Sequence, residues 1–213
     1  MQSRLSYSFY NTLIIHNNGD SLKIYPERFT EKLAMKKFFL VSIIILMTNQ
    51  AGAYIIDDLS NPNERNWVYF TDTVMGGVSK GNLEFREGKD ESYYRLTGFV
   101  SEENNGGFIQ FATGISGIPK KAYEGIRIKV RGNNENYQLH IRTRLTPAPW
   151  QYYSYQFFAS DEWQTIDLPL DSFDKSNFYQ PKSFNASNIR SIGVVAIGKE
   201  YDAQIDLARI ELY

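Results

Sequence analysis

The sequence predicts an antiparallel, all-β sandwich of roughly eight or more strands in a single domain. Three observations carry that prediction. From Tyr54 onward the chain is built of short apolar–polar alternations, which suit a strand with one buried face. Clusters of Asn, Gly, Asp and Pro separate these runs, and no sustained helical period appears. Aromatic residues make up 15% of the chain, and their flat, bulky rings favour a pleated, half-buried surface.

The elements follow in order. "YYRLTGFV" (Tyr93–Val100), the turn residues "SEENNGG" and "FIQFAT" (Phe108–Thr113) read as strand, turn, strand, with Asn105-Gly106 as the turn signal of a hairpin. "GIRIKVRG" (Gly125–Gly132) alternates Ile126, Ile128 and Val130 against Arg127, Lys129 and Arg131. "YQLHIRTRL" (Tyr137–Leu145) alternates Tyr137, Leu139, Ile141, Thr143 and Leu145 against Gln138, His140, Arg142 and Arg144. "QYYSYQFF", "WQTIDLPL", "IRSIGVVAIG" and "AQIDLARIELY" supply further strands, with a short helical turn at Asp171–Phe173. Before Tyr93, "NWVYFTDTVMGGVSKGNLEF" (Asn66–Phe85) starts as an aromatic strand and stops at Gly76-Gly77.

Residues ahead of Tyr54 have another character. "MKKFFLVSIIILMTNQAGA" (residues 35–53) has a positive start at Lys36-Lys37, a ten-residue apolar run from Phe38 to Met47 and the small-x-small pattern Ala51-Gly52-Ala53. These are the parts of a secretory signal peptide, and the run is shorter than the ~20 residues a membrane span takes. Residues 1–34 show neither periodicity nor a targeting pattern and are expected to be upstream sequence ahead of a true start at Met35. The mature domain is then residues 54–213, periplasmic or secreted, cleaved near Ala53 and without a transmembrane segment.

Composition excludes several functions. Within residues 54–213, 17 Lys and Arg face 21 Asp and Glu, a net charge of −4, which argues against a nucleic-acid partner. The chain has no Cys, and His140 is the one histidine of the mature domain, so a multi-His or Cys zinc site is excluded and no nucleophile–base arrangement is recognisable. No cofactor is expected; a structural Ca²⁺ at Asp57-Asp58 or Glu102-Glu103 is the one metal alternative. Gly76 and Gly81 have phosphate-loop spacing, but Asn82-Leu83 stands where Lys and Ser or Thr are needed. The Gly pair is therefore read as a tight turn with Gly77 at positive φ and Asp72 bonding backbone N–H groups at the strand end.

Two surfaces are candidates for binding. His140, Arg142 and Arg144 alternate away from Leu139 and Ile141, and a His beside two Arg suits a carboxylate, a sulfate or sugar hydroxyls. The alternative is a solvated face paired with acids on the next strand. Trp150, Tyr152, Tyr153 and Tyr155 follow; Trp150 and Tyr153 are taken as candidate stacking rings, with at least one of the tyrosine sets in the core.

The combination "W..F.DTVMGGVS" (Trp67–Ser79), "GFVSEENNGGF" (Gly98–Phe108), "YQLHIRTR", "W....LPLDSF" (Trp163–Phe173) and the closing "IRSIGVVAIGKEYDAQIDLARIELY" resembles the complex I intermediate-associated protein 30 family over essentially all of residues 54–213. The resemblance implies a galactose-binding-like jelly-roll sandwich and a non-catalytic assembly-factor or chaperone role, since mitochondrial members help assemble NADH:ubiquinone oxidoreductase. Asp72, Met75, Gly76, Gly77, Ser79, Asn104, Asn105, Gly106 and Gly107 carry over as signature positions, with Asp72 and Asn104 expected to tie the two loops together. The sequence departs from the family in its signal segment and in "DKSNFYQPKSF", which stands where many members carry an arginine-rich stretch. An exported member meets other partners, so a protein partner and a cell-envelope glycan are both carried forward.

Overall fold

The computed structural model describes residues 52–61, 63 and 66–213. Residues 1–34 and the expected signal segment lie outside the described residues, apart from Gly52 and Ala53. The β-branched and aromatic runs form twelve strands: β1 (Tyr54–Asp57), β2 (Val68–Thr71), β3 (Lys80–Arg86), β4 (Tyr93–Val100), β5 (Phe108–Gly114), β6 (Gly125–Gly132), β7 (Glu135–Thr143), β8 (Tyr153–Ala159), β9 (Gln164–Pro169), β10 (Asp174–Lys175), β11 (Ile189–Ile197) and β12 (Tyr201–Leu212). The expected helical turn is a single 3-10 turn at Leu170–Ser172. No helix among the described residues is long and apolar enough to cross a membrane.

All pairings are antiparallel and build two sheets. The first runs β3-β4-β12-β6-β9, with β1 also paired to β12; the second runs β10-β8-β7-β11-β5-β2. Their inner faces meet in one apolar core, as period-2 alternation requires. Tyr137, Leu139 and Ile141 of β7 and Ile126, Ile128 and Val130 of β6 are all buried in it. Strand β12 contributes Ile205 and Leu207, then Ile210 and Leu212. That change of phase coincides with a register shift between Leu207 and Arg209, where an extra residue lets the strand bury both pairs.

The Asn-Asn-Gly-Gly segment does not close a hairpin. Strand β4 pairs with β3 and β12, while β5 pairs with β11 and β2, so the segment carries the chain from one sheet to the other. The Gly76-Gly77 loop also crosses between sheets, from β2 to β3. Asp57, considered above for Ca²⁺, accepts hydrogen bonds from the Trp67 indole (2.8 Å) and the Leu59 N–H (2.9 Å), and so fixes Trp67 against Phe111 in the core. Among the described residues no three His, Asp or Glu side chains are grouped to hold a metal ion.

Candidate binding cleft

The two sheet-crossing loops are joined by one carboxylate. Asp72, 0% exposed, accepts hydrogen bonds from the Ser79 N–H (3.1 Å), the Ser79 hydroxyl (2.5 Å), and the backbone N–H groups of Gly107 (2.6 Å) and Phe108 (3.3 Å). Ser79 Oγ also accepts from the Ser101 N–H at 2.9 Å. Burial works against the charge of Asp72, but the hydrogen bonds from Ser79, Gly107 and Phe108 outweigh it and hold the carboxyl below its usual range.

Both glycine pairs serve this carboxylate. Gly76 has φ +93° and Gly107 φ +128°, conformations that disfavour a side chain. Gly77 and Gly106 lie so close to Asp72 that a Cβ on either would overlap its carboxyl group. Positive φ, expected at Gly77, therefore belongs to Gly76, and Gly77 is required by close approach. Asn104 does not share in the tie: it is an exposed residue at φ +58° with no side-chain hydrogen bond, and Asn105 follows at φ +57°.

This knot sets one end of a cleft of about 640 Å³ on the outer face of the second sheet. Val74, Met75, Glu102, Gly106 and Gly107 line that end; Pro149, Trp150 and Tyr152 line the other. The floor comes from strand register: Phe70, Gln110 and Val195 lie opposite one another across β2, β5 and β11, and His140 of β7 lies opposite Gly193 in the next row. Gly193 is needed there by close approach: an added Cβ would lie 3.0 Å from the Ala112 Cβ and 3.5 Å from Gln110 Oε1.

His140 is buried, stacked on Tyr152 with ring centroids 4.0 Å apart and planes at 14°, and its Nε2 lies 2.8 Å from Gln138 Oε1. With Gln138 so oriented, Nε2 carries the proton. Burial, reinforced by the Arg142 charge, pushes its pKa down to about 3, so the ring is neutral at physiological pH and a weak proton acceptor. Arg142 is half-buried; its Nη2 donates to the Pro149 carbonyl at 3.1 Å and its guanidinium lies 5.9 Å from the Tyr152 ring centre. Trp150 is 67% exposed. Gln110 is 4% exposed, and its side-chain oxygen has no hydrogen-bond partner among the described residues.

Of the residues proposed from sequence, His140, Arg142, Trp150, Met75, Gly106 and Gly107 line this cleft. Arg144 does not. β7 ends at Thr143, and Arg144 is exposed beyond it with its N–H bonded to the Asn188 carbonyl (3.0 Å). Tyr153 is also displaced: it is 0% exposed in the core, with its hydroxyl donating to the Pro181 carbonyl at 3.0 Å, and the ring in the cleft is Tyr152. Gln110 was missed, although in "FIQFAT" it alternates against Ile109 and Phe111 and so had to face away from the core.

The profile of the complex I intermediate-associated protein 30 family matches residues 58–208. The chain is a member of the complex I intermediate-associated protein 30 family. No curated protein sequence matches it. Among solved structures, this family member is similar to the family 11 carbohydrate-binding module of a cellulosomal cellulase of Clostridium thermocellum, with a TM-score of 0.62 and 16% identity over 77% of this chain and 95% of that one. The same module in complex with a β-1,3-1,4-mixed-linked tetrasaccharide gives a TM-score of 0.62 and 17% identity over 77% and 96%. At such identity the likeness is one of fold, a galactose-binding-like jelly-roll β-sandwich.

Proposed function

We propose that this protein is an exported, non-catalytic module that binds a saccharide in the outer cleft of the second sheet. The observation that carries the reading is the pairing of an exposed Trp150 with three polar side chains, Gln110, His140 and Arg142, set among the apolar Phe70 and Val195 in one concave site. Sugar rings present C–H faces that stack on an indole and hydroxyls that need fixed donors and acceptors. The similarity to a carbohydrate-binding module fits this reading, and export rests on the signal-like segment of residues 35–53.

The second reading is a protein partner, in keeping with an assembly-factor or chaperone role. It is favoured by the family and by Val74 and Met75, which are 73% and 65% exposed on the cleft wall. Screening the full chain on a glycan array, beside a pull-down from cell-envelope extract, separates the two. The saccharide reading predicts array binding that Trp150→Ala weakens by about 2 kcal/mol with the melting temperature unchanged. An empty array with a protein captured in a Trp150-dependent way favours the second reading.

A further inference from the structure

We infer that the saccharide taken by this cleft carries a carboxylate, and that Arg142 reads it. The inference rests on the saccharide reading above and adds the charge of the ligand. Among the described residues, Arg86, Arg95, Arg127, Arg131 and Arg209 each meet a carboxylate. The arginines that meet none are Arg142, Arg144 and Arg190, and they lie at one end of the second sheet. Arg142 sits opposite Ser191 on β11, Arg190 is the neighbour of Ser191, and the Arg144 N–H is bonded to Asn188, just before β11. The domain is acidic, so the lack of a counter-charge is local to this end.

Arg142 is the arginine of the three that faces the ligand. A guanidinium has five N–H donors in a planar fork suited to a carboxylate, and that of Arg142 uses one, on the Pro149 carbonyl. The Pro149 contact and the Tyr152 ring fix its position between the cleft and a smaller hollow of about 260 Å³ behind it. Arg190 lines that hollow, and no acidic residue does. A half-buried cation without an anion has lost part of its hydration with no charge in return, a cost that an incoming carboxylate offsets. At the opposite end of the cleft stands Glu102, exposed and without an ion pair among the described residues, which repels a carboxylate there. The two ends therefore orient an acidic sugar with its carboxylate at Arg142 and its ring over Trp150. A hexuronic acid, whose carboxylate is attached directly to the pyranose ring, has this combination.

The test is calorimetric titration of the full chain with tetramers of galacturonate, glucuronate and mannuronate, each beside its methyl ester and a neutral gluco-tetrasaccharide. The expected result is that one acid binds about 30-fold more tightly than its ester, in line with a charge-assisted hydrogen-bond pair, and that this preference declines with added salt. Arg142→Gln brings the acid-to-ester affinity ratio to about one, whatever it does to ester binding itself. Trp150→Ala weakens both forms. Equal binding of acid and ester, an undiminished acid preference in Arg142→Gln, or binding of the neutral tetramer alone overturns the carboxylate inference while the saccharide reading stands. Binding of none of these, together with an empty glycan array, overturns both.

Discussion

The outer faces of the two sheets are written in the same alternating code and do opposite things. On the first sheet the polar positions satisfy one another. Asp206, 1% exposed, accepts from Arg95 at 2.6 and 2.7 Å and from Arg131 at 2.6 Å. Arg127 pairs with Asp167 (2.6 Å) and Arg209 with Glu211 (2.8 Å), and Arg131 lies 4.6 Å from the Trp163 ring centre. On the second sheet the corresponding positions hold Gln110, Gln138, His140 and Arg142, with no carboxylate among them. The first face closes on itself and contributes stability. The second keeps unused hydrogen-bonding capacity and an exposed indole beside it, which is what a ligand needs.

The largest expected effect breaks the self-satisfied face. Asp206→Ala strands Arg95 and Arg131 without their shared partner and is expected to cost about 4 kcal/mol of stability, read by urea denaturation, with saccharide affinity unchanged. A large loss of affinity at wild-type stability contradicts the division of labour.

Gly77→Val drives a branched side chain into the Asp72 carboxyl that joins the two crossing loops. The expected loss is about 3 kcal/mol, in the range of overpacking with hydrogen bonds broken. Wild-type melting with binding abolished contradicts the mechanical role of the glycine pair.

His140 sharpens the comparison through pH. Its folded pKa, about 3, lies below the unfolded value of 6.5, so below pH 6.5 the unfolded chain takes up a proton that the folded chain refuses. Stability from this group is therefore lost as pH falls from about 6.5 toward 3. Between pH 6.5 and 5 the loss is about 2 kcal/mol, and His140→Gln is expected to flatten that part of the denaturation profile. An unchanged slope contradicts the buried, neutral ring.

The smallest effect is that of Arg144→Ala, expected to change stability by less than ~0.5 kcal/mol and to leave the 30-fold acid preference, where present, within about a factor of two. An effect equal to that of Arg142→Gln places Arg144 in the site after all.

The contrast between the faces also explains what could be read before the structure. Strands β4 and β6 coincide with "YYRLTGFV" and "GIRIKVRG" because alternation is a local property. The polarity of "RIKVR" and "QLHIR" looks alike for the same reason. What separates them is the neighbouring strand. Asp206 stands 111 residues from Arg95 and 75 from Arg131, whereas Arg142 lies opposite Ser191. Long-range register decides whether a cation is paired, and a single sequence does not display it.

Arg144 and Tyr153 were misplaced by local events. β7 stops at Thr143, so the alternation no longer applies to Arg144. The aromatic run puts Tyr153 into the core, and the exposed side of the same run goes to Tyr152. The Asp72 motif was legible in kind, a carboxylate capping backbone N–H groups. The link from Asp72 to Gly107, 35 residues away, required the fold.

Three tryptophans report on which outer face binds: Trp67 in the core, Trp150 at the cleft, Trp163 on the first sheet's outer face. In an ¹H–¹⁵N correlation spectrum each indole N–H gives its own signal. Titration with the tightest-binding saccharide is predicted to move the Trp150 indole signal and the amides of Gln110, His140 and Arg142, with Trp67 and Trp163 in place. Movement of Trp163 while Trp150 stays fixed would put the ligand on the salt-bridged face and contradict the account.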